Sequence, residues 1–259
     1  MKKRFKLDLA KIKIVLLNFY KKPNRNAIWV FGFQKSGTSA IAALFARKVD
    51  KSVTIDCKYL WEPYRSEMFK KGVTRHVNKY SLEFSRDIIK EPGATFFIPK
   101  IESYFCLDKY IFIIRNPYDN IRSILNRLQV PGNQDSIDLN DLNFRWRSKF
   151  KRNGINYVQD LAELWLEANN QKSYMSSEKC VLVKYEDFVN DKIGFIEGLA
   201  KEFNLENVND ISNIVDKPFQ PKGNSDTDIL KFFGKRNLEV ISEICGERMK
   251  ELGYNQKKY

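Results

Sequence analysis

Five short runs of apolar and β-branched residues divide the chain, and each has the pattern of a buried strand. The runs are IWVFGF (28–33), SVTIDC (52–57), TFFIPK (95–100), YIFIIRN (110–116) and CVLVKY (180–185). Their length of six or seven residues is typical of strands and too short for helices that cross a core. These runs therefore predict five strands inside the protein.

Longer segments with helical periodicity lie between the runs, at residues 37–49, 81–90, 118–129, 157–175, 190–204 and 234–252. Strands that alternate with helices imply βαβ units and a mostly parallel sheet. The predicted fold class is α/β: a single domain over residues 1–259, with a P-loop-like, three-layer arrangement of a mostly parallel central sheet flanked by helices. Right-handed crossovers would gather the carboxyl ends of the strands at one edge, where ligands bind.

Three segments do not follow this alternation. Residues 58–80 and 130–156 are long, aromatic and charged, and we predict that these insertions shape an acceptor pocket. Residues 1–26 are a basic amphipathic segment, and its apolar run IVLL is much shorter than the roughly 20 residues that span a bilayer. This segment has two interpretations, a helix lying on a membrane surface and a helix packed against its own domain.

The charge balance is strongly basic, with 45 Lys and Arg against 32 Asp and Glu and a net charge of +13. Such a field concentrates anions, and it fits a polyanion, an acidic membrane face or a phosphorylated small molecule. The four cysteines are far apart and there is one histidine, which argues against a zinc site and a disulfide scaffold. We expect reduced thiols, no metal, and a cytoplasmic location, with the inner face of the membrane as an alternative.

A glycine-containing loop, FQKSGTS (33–39), follows the first predicted strand and leads into a helix. Backbone N–H groups in such a loop point towards an anion. A Walker A loop places its lysine after the last glycine, whereas here Lys35 lies inside the loop and Thr38 takes that place. A kinase would also need a metal site, usually an apolar strand that ends in Asp. The most apolar run, YIFIIRN, has Arg115 at this place instead. SVTID does end in Asp56, but it is short and more polar. Both departures argue against a nucleoside triphosphate with magnesium.

These two motifs together resemble those of the sulfotransferases. FQKSGTS is similar to the family's 5′-phosphosulfate loop, and IIRNPYDNIRSIL, with a serine eight residues after the arginine, is similar to its 3′-phosphate-binding motif. VLVKYEDF and ISEICGERMKELGY resemble two further segments of the family, so that the resemblance spans residues 28–254. It implies the donor 3′-phosphoadenosine 5′-phosphosulfate (PAPS), the product 3′,5′-adenosine bisphosphate (PAP) and a hydroxylated acceptor. We expect that acceptor to be a sugar of a glycan or glycolipid.

The resemblance also assigns residues to the donor. The 5′-phosphosulfate would be bound by Lys35, Ser36, Gly37, Thr38 and Ser39, and the 3′-phosphate by Arg115 and Ser123. Lys35 would contact the oxygen that bridges phosphate and sulfate, and offset its charge as that bond breaks.

The adenine site is less clearly marked in the sequence. Tyr185 in the YED segment would approach the adenine or its phosphate, and Lys222 and Gly223, in PKGN, resemble a loop that closes on the 3′-phosphate. Many family members have an aromatic residue directly after the phosphosulfate loop, whereas this chain has Ala40. The adenine would therefore be held elsewhere or by edge contacts.

Sulfuryl transfer to a hydroxyl group needs a base that takes its proton. Glu62 follows the second predicted strand, and its tryptophan and proline neighbours suggest burial that would raise its pKa towards a useful range. Glu102 is the second candidate, with Lys100 beside it to orient or neutralise the sulfuryl group. His76, in a charged segment, is the third.

The basic and aromatic stretch FRWRSKFKRN (144–153) supports further hypotheses. On a helix, Arg145, Lys149 and Arg152 would share one face, either solvated or in contact with an anionic acceptor such as an acidic glycan. A nucleic-acid-binding protein would use the same stretch, and a P-loop kinase with an altered lysine is the rival enzyme. The ordered motifs favour a sulfotransferase without a nucleic-acid partner.

Overall fold

The computed structural model describes residues 12–217 and 228–256. At the centre of these residues lies a parallel, five-stranded sheet in the order β2-β3-β1-β4-β5. Its strands are β1 (Ile28–Gly32), β2 (Val53–Ile55), β3 (Ile88–Lys90), β4 (Tyr110–Ile114) and β5 (Cys180–Lys184). Strands β2 and β3 lie on one side of β1 in the sheet, and β4 and β5 lie on the other side. This change of side opens a crevice at the carboxyl ends of the central strands, where open α/β sheets bind ligands.

Helices cover both faces of the sheet. Residues 12–20 form α1. The others are α2 (Thr38–Lys48), α3 (Tyr64–Lys71), α4 (Val73–Lys79), α5 (Ser81–Phe84), α6 (Ile98–Glu102), α7 (Pro117–Leu128), α8 (Phe144–Arg147), α9 (Tyr157–Asn169), α10 (Lys172–Met175), α11 (Tyr185–Asn190), α12 (Lys192–Glu202) and α13 (Ile229–Glu251). Lys58–Leu60 and Pro92–Phe97 are 3₁₀ helices. In the described part of the chain, every helix is too short or too polar to cross a bilayer.

The alternation of side chains along β1 divides the core into two layers. Trp29 and Phe31 point to one face and pack in a large cluster with α7, α9 and α13. Val30 points to the other face and packs with α2 and α12. All three side chains are fully buried, which explains the continuous apolar run. The predicted three-layer α/β fold with a parallel sheet is confirmed.

One strand was predicted at the wrong place. Residues 95–100 were expected to be a strand and are helical, whereas β3 is formed by residues 88–90, which were expected to end a helix. Pro92 stands at the start of the 3₁₀ helix, a position where its missing N–H is not needed. Thr95 then caps the sheet: its hydroxyl accepts a hydrogen bond from the Gly32 N–H at 2.9 Å and donates one to the Gly32 carbonyl at 3.1 Å.

The stretch 144–153 is also not the continuous helix that its pattern suggested. Only α8 is helical there, and Phe150 turns into the core with 5% of its surface exposed. Arg152 is engaged by ion pairs with Asp160 and Glu163 of α9. Because the segment is not one helix and Arg152 is directed towards α9, the predicted face shared by Arg145, Lys149 and Arg152 does not form.

Candidate functional site

The loop of residues 33–37 lies at the carboxyl end of β1 and leads into the first turn of α2. Two of its residues have a left-handed backbone, Lys35 with φ 67° and Gly37 with φ 82°. The loop therefore turns sharply just before Thr38, and the first N–H groups of α2 have no partners within the helix. Together with the dipole of α2, these groups point towards the space where an anion could bind.

The loop is held in place by α7. The side-chain amide of Asn120 donates to the Gln34 carbonyl at 3.1 Å and to the Ser36 hydroxyl at 2.8 Å. Ser36 is fully buried, so that its hydroxyl serves the internal structure of the loop. Asn120 belongs to the same helix as the predicted 3′-phosphate motif, and this contact joins the two motifs.

Arg115 completes the junction from the carboxyl end of β4. Its Nη1 donates to the Lys35 carbonyl at 2.7 Å, and its guanidinium lies 4.3 Å from the centre of the Tyr185 ring. The Trp165 indole N–H donates to the Arg115 carbonyl at 2.9 Å, which fixes the backbone at this point. Two motifs separated by 80 residues therefore meet in one contact.

This corner of the protein carries excess positive charge. Burial lowers the pKa of Lys35, and the nearby charges of Arg115 and Arg127 lower it further. Burial likewise lowers the pKa of Arg115. Three of the buried polar atoms that lack a hydrogen-bond partner among the described residues lie here: Gln34 Oε1, Arg115 Nε and Asn120 Oδ1. A buried, unsatisfied guanidinium donor is costly, and an anion bound here would satisfy it.

A second lysine approaches the loop from the end of β3. Lys90 Nζ donates to the Ser39 hydroxyl at 2.8 Å and forms an ion pair with Asp56, the residue after β2. Its side chain is 3% exposed, so that the charge lies inside the site next to the first turn of α2. In the described part of the chain, no group of three or more His, Cys, Asp or Glu side chains is arranged to hold a metal ion.

Glu91 follows Lys90 and is the titratable carboxyl group with the clearest shift in this region. It is 3% exposed, and burial raises its pKa to about 7 in spite of the hydrogen bonds that it accepts. The Gly93 N–H donates to its Oε1 and the Trp61 indole N–H to its Oε2, both at 2.8 Å. A carboxyl group with this pKa changes its protonation state near neutral pH, as a general base must.

Cations from the two predicted insertions lie on the aromatic residues near Glu91. The guanidinium of Arg145 lies 3.8 Å from the centre of the Trp61 ring. The ammonium group of Lys149 lies 5.6 Å from the centre of the Phe96 ring. Burial lowers the pKa of Lys149 and the charge of Arg65 lowers it further, whereas the charge of Glu91 acts to raise it. Segments 58–80 and 130–156 therefore converge on the same carboxyl group.

Comparison with known proteins identifies solved structures that share this fold. No family model matches the chain, and no curated protein matches it in sequence. Among solved structures, the Mycobacterium avium sulfotransferase STF9 is 10% identical with a TM-score of 0.56 over 96% of this chain and 82% of that one. The mouse sulfotransferase SULT7A1 complexed with PAP is 14% identical, with a TM-score of 0.53 over 93% of this chain and 90% of that one. The sulfotransferase from Alicyclobacillus acidocaldarius is 14% identical, with a TM-score of 0.51 over 90% of this chain and 97% of that one.

The chain has the sulfotransferase fold. Within it, the residues that the sequence assigned to the donor form a continuous group: Lys35, Ser36, Gly37, Thr38, Ser39 and Arg115 border one loop, and Tyr185 packs on Gly37 and Arg115. Ser123 is half-buried on α7, two helical turns after Arg115. Lys222 and Gly223 lie outside the described residues.

Glu62 does not have the raised pKa that its neighbours suggested. Burial acts to raise its pKa, but hydrogen bonds from Ser66 and Arg65 outweigh burial and the pKa is lowered. The Ser66 hydroxyl donates at 2.6 Å and the Arg65 Nε at 2.8 Å. A carboxylate stabilised in this way is a weaker base than the sequence suggested.

The other two predicted bases lie in settings that do not favour catalysis. Glu102 accepts a hydrogen bond from the Tyr174 hydroxyl at 2.7 Å, and the Tyr174 carbonyl accepts one from Tyr110 at the first residue of β4. Glu102 is therefore near the opposite edge of the sheet from Arg115, and Lys100 is exposed on the same short helix, α6. His76 is buried, not solvated: its Nε2 lies 2.8 Å from the Tyr59 carbonyl oxygen, and burial lowers its pKa.

Lys90 and Glu91 were not predicted as site residues from the sequence. Lys90 was placed at the end of the predicted helix 81–90, and Glu91 directly follows that range. The signal that would have located them is DIIKEPG: two β-branched residues, a pair of opposite charges and a Pro-Gly break, which together mark a short strand and its carboxyl end.

Replacing Gly37 by alanine should unfold the loop and weaken nucleotide binding. Its φ is +82°, and an added Cβ would lie 2.2 Å from Tyr185 Cδ2, so that the ring must move. Gly253→Ala is a matched control, because Gly253 also has a positive φ, 71°, and the added Cβ would meet only the flexible end of the Lys184 side chain, at 2.9 Å. In urea unfolding we expect Gly253→Ala to cost about 1–2 kcal/mol and Gly37→Ala roughly 3 kcal/mol or more. Equal losses would show that the contact with Tyr185 is unimportant.

Proposed function

We propose that this protein is a metal-independent sulfotransferase that uses PAPS and transfers its sulfuryl group to an acceptor hydroxyl. The observation that carries the proposal is the contact between Arg115 and the carbonyl of Lys35, which joins two anion-binding motifs into one site. The donor, when bound, supplies an activated sulfuryl group on a phosphate–sulfate anhydride. The excess of buried cations and the unsatisfied Arg115 Nε support an anionic ligand with more than one phosphate.

The loop and the start of α2 would bind the 5′-phosphosulfate through backbone N–H groups and the hydroxyls of Thr38 and Ser39. Arg115 and Ser123 would bind the 3′-phosphate, the arginine as a charged planar fork. Tyr185 lies between these two groups, against Gly37 and under Arg115. We assign the adenine contact to this region, because Ala40 cannot provide an aromatic surface.

Two lysines would offset negative charge during the transfer. Lys35 comes from the loop, and Lys90 reaches the Ser39 hydroxyl from β3. The ion pair with Asp56 positions Lys90, since its side chain is almost fully buried and its ammonium group is held between two oxygens. Preorganised charges of this kind stabilise a developing anion without further rearrangement of the site.

We assign the base to Glu91 in place of Glu62 and Glu102. Its pKa of about 7 matches the task of taking a proton from an acceptor hydroxyl, whereas the pKa of Glu62 is lowered. Hydrogen bonds from Trp61 and Gly93 orient its carboxylate and leave one further lone pair on each oxygen. It also follows Lys90 directly in the chain, next to the proposed sulfuryl site.

The acceptor is proposed to be a saccharide, and an acidic one. Trp61 and Trp146 offer aromatic surfaces for sugar rings, and Arg145 and Lys149 supply positive charge beside them. These residues come from the two segments that were predicted to shape the acceptor pocket. Their convergence on Glu91 supports that prediction.

The rival functions are less well supported by the same contacts. In a kinase, Asp56 would be expected to hold magnesium, but here its carboxylate is paired with Lys90. A nucleic-acid surface on 144–153 would need a shared basic face, and Arg152 is neutralised by α9.

Calorimetric titration with PAP in EDTA tests the proposed function. We expect binding in about the micromolar range, because both phosphates would find preformed donors. ATP titrated under the same conditions should bind more weakly, since it has no 3′-phosphate. Absence of PAP binding by the folded protein, together with tight binding of ATP only when Mg²⁺ is added, would instead support the kinase.

A further inference from the structure

The helix α1 carries its apolar stripe on the outside of the protein. Large hydrophobic side chains at most of its positions are exposed: Ile12 by 55%, Val15 by 68%, Leu16 by 52%, Phe19 by 83% and Tyr20 by 76%. At about 100° per residue these five positions fall on one arc of about 140°. A helix that packed its apolar face on its own domain would bury this arc, and α1 does not.

The opposite side of α1 is the side that is attached to the protein. The side-chain carbonyl of Asn18 accepts a hydrogen bond from the Leu82 N–H at 2.9 Å, and its backbone carbonyl accepts one from the Ser81 hydroxyl. Leu17 and Asn18 are partly buried, on the arc that faces α5. These contacts orient the helix with its hydrophobic arc pointing away from the domain.

Basic residues surround the exposed arc. Lys13, Lys21, Lys22 and Arg25 are exposed in and directly after the helix. The preceding sequence MKKRFKLDLAK adds five further Lys and Arg residues and one Asp. An apolar arc flanked by lysines is the pattern of helices that lie in the interface of a bilayer, with the ring and alkyl groups among the acyl chains and the ammonium groups at anionic headgroups.

We propose that α1 docks this protein onto an anionic lipid surface. The helix lies parallel to the bilayer, with Val15 and Phe19 inserted and the flanking lysines near the phosphates of the headgroups. The charge favours this occupant: a net of +13 attracts the protein to an acidic membrane and repels a second copy of the same chain. The proposal does not depend on the enzymatic function.

Sedimentation with vesicles tests the docking. The full chain should bind vesicles of mixed phosphatidylglycerol and phosphatidylcholine, bind vesicles of phosphatidylcholine alone much more weakly, and lose affinity as salt is raised. The double variant Val15→Gln, Phe19→Gln should have an affinity for the anionic vesicles that is lower by about tenfold or more. Because both side chains point to solvent in the free protein, PAP binding and the melting temperature should be unchanged.

The control removes the same number of exposed hydrophobic side chains elsewhere. Val208 is 57% exposed and Leu230 is 41% exposed, and the variant Val208→Gln, Leu230→Gln should bind vesicles like the unchanged chain. Equal binding by both double variants would overturn the proposal, because charge alone would then account for the attraction. No binding of the full chain to anionic vesicles at low salt would also overturn it. A dimer that only the Val15, Phe19 variant dissociates would show that a second copy covers the arc instead.

Discussion

Glu91→Gln should lower kcat for sulfuryl transfer about 10²–10⁴-fold and leave the affinity for PAP nearly unchanged. Glutamine keeps the size of the side chain and an oxygen for one of the hydrogen bonds from Trp61 and Gly93, but it takes no proton at neutral pH. The measurement is kcat in the presence of saturating donor and an acidic saccharide acceptor, alongside calorimetry with PAP. Glu102→Gln is the matched control, because Glu102 lies near the opposite edge of the sheet, and it should retain full activity.

The pH dependence provides an independent check on Glu91. A base must be deprotonated to act, so kcat/KM should fall about tenfold per pH unit below an apparent pKa of about 7. Stability should change in the opposite direction: the folded pKa lies above that of the unfolded chain, so a stabilising contribution present below pH 4.5 is lost as the pH rises towards 7. Glu91→Gln removes this loss, and its melting temperature at pH 8 should equal or exceed that of the unchanged chain.

Two results would contradict the assignment of Glu91. If Glu91→Gln remains active, the carboxylate only caps the 3₁₀ helix through the Gly93 N–H. If the variant loses PAP binding together with activity, the side chain maintains the donor site and is not the base.

Arg115→Ala should weaken PAP binding about a hundredfold or more, while binding of 5′-AMP changes much less. PAP and 5′-AMP differ by the 3′-phosphate, and the guanidinium is proposed to bind that group. In the unchanged protein the extra phosphate should therefore add affinity that the variant lacks. Calorimetry with both ligands in EDTA measures the difference.

The comparison between the two ligands also controls for damage to the fold. Arg115 supports the Lys35 carbonyl and stacks on Tyr185, so a general collapse of the loop would weaken both ligands equally. Arg47→Ala, an exposed arginine in the last turn of α2, should change neither affinity. A variant at Arg115 that still prefers PAP over 5′-AMP by the original factor would exclude this arginine from the 3′-phosphate site.

The proposed donor half of the site, namely the place of its residues in the fold, could be predicted from local sequence. The loop FQKSGTS and the motif IIRNPYDNIRSIL are each short, and each is placed by a strand that its apolar run identifies. Their meeting follows from the parallel sheet, because β1 and β4 are neighbours and end at the same edge. Hence Lys35 and Arg115 lie together as expected.

The acceptor half could not be predicted in this way. The three-residue strand β3 is too short to give a periodic signal, and it was hidden by the more apolar run that follows it. As a result, Glu102 was predicted as the glutamate at the strand end, whereas the structure has Glu91 there, eleven residues earlier in the chain. The direction of the pKa shift of Glu62 was also wrongly predicted, since burial raises this pKa but the hydrogen bonds from Ser66 and Arg65 outweigh burial.

The sequence by itself determined the α/β class, four of the five strands and the glycine-containing loop after β1, because these depend on residues close together in the chain. Only the tertiary structure decided which carboxyl group has a raised pKa, which aromatic and basic residues lie near it and which side of α1 faces outward. Burial and hydrogen bonds set these properties, and they join residues that are far apart in the chain, such as Trp61 and Glu91, or Asn18 and Leu82. Contacts of this kind cannot be derived from a local pattern.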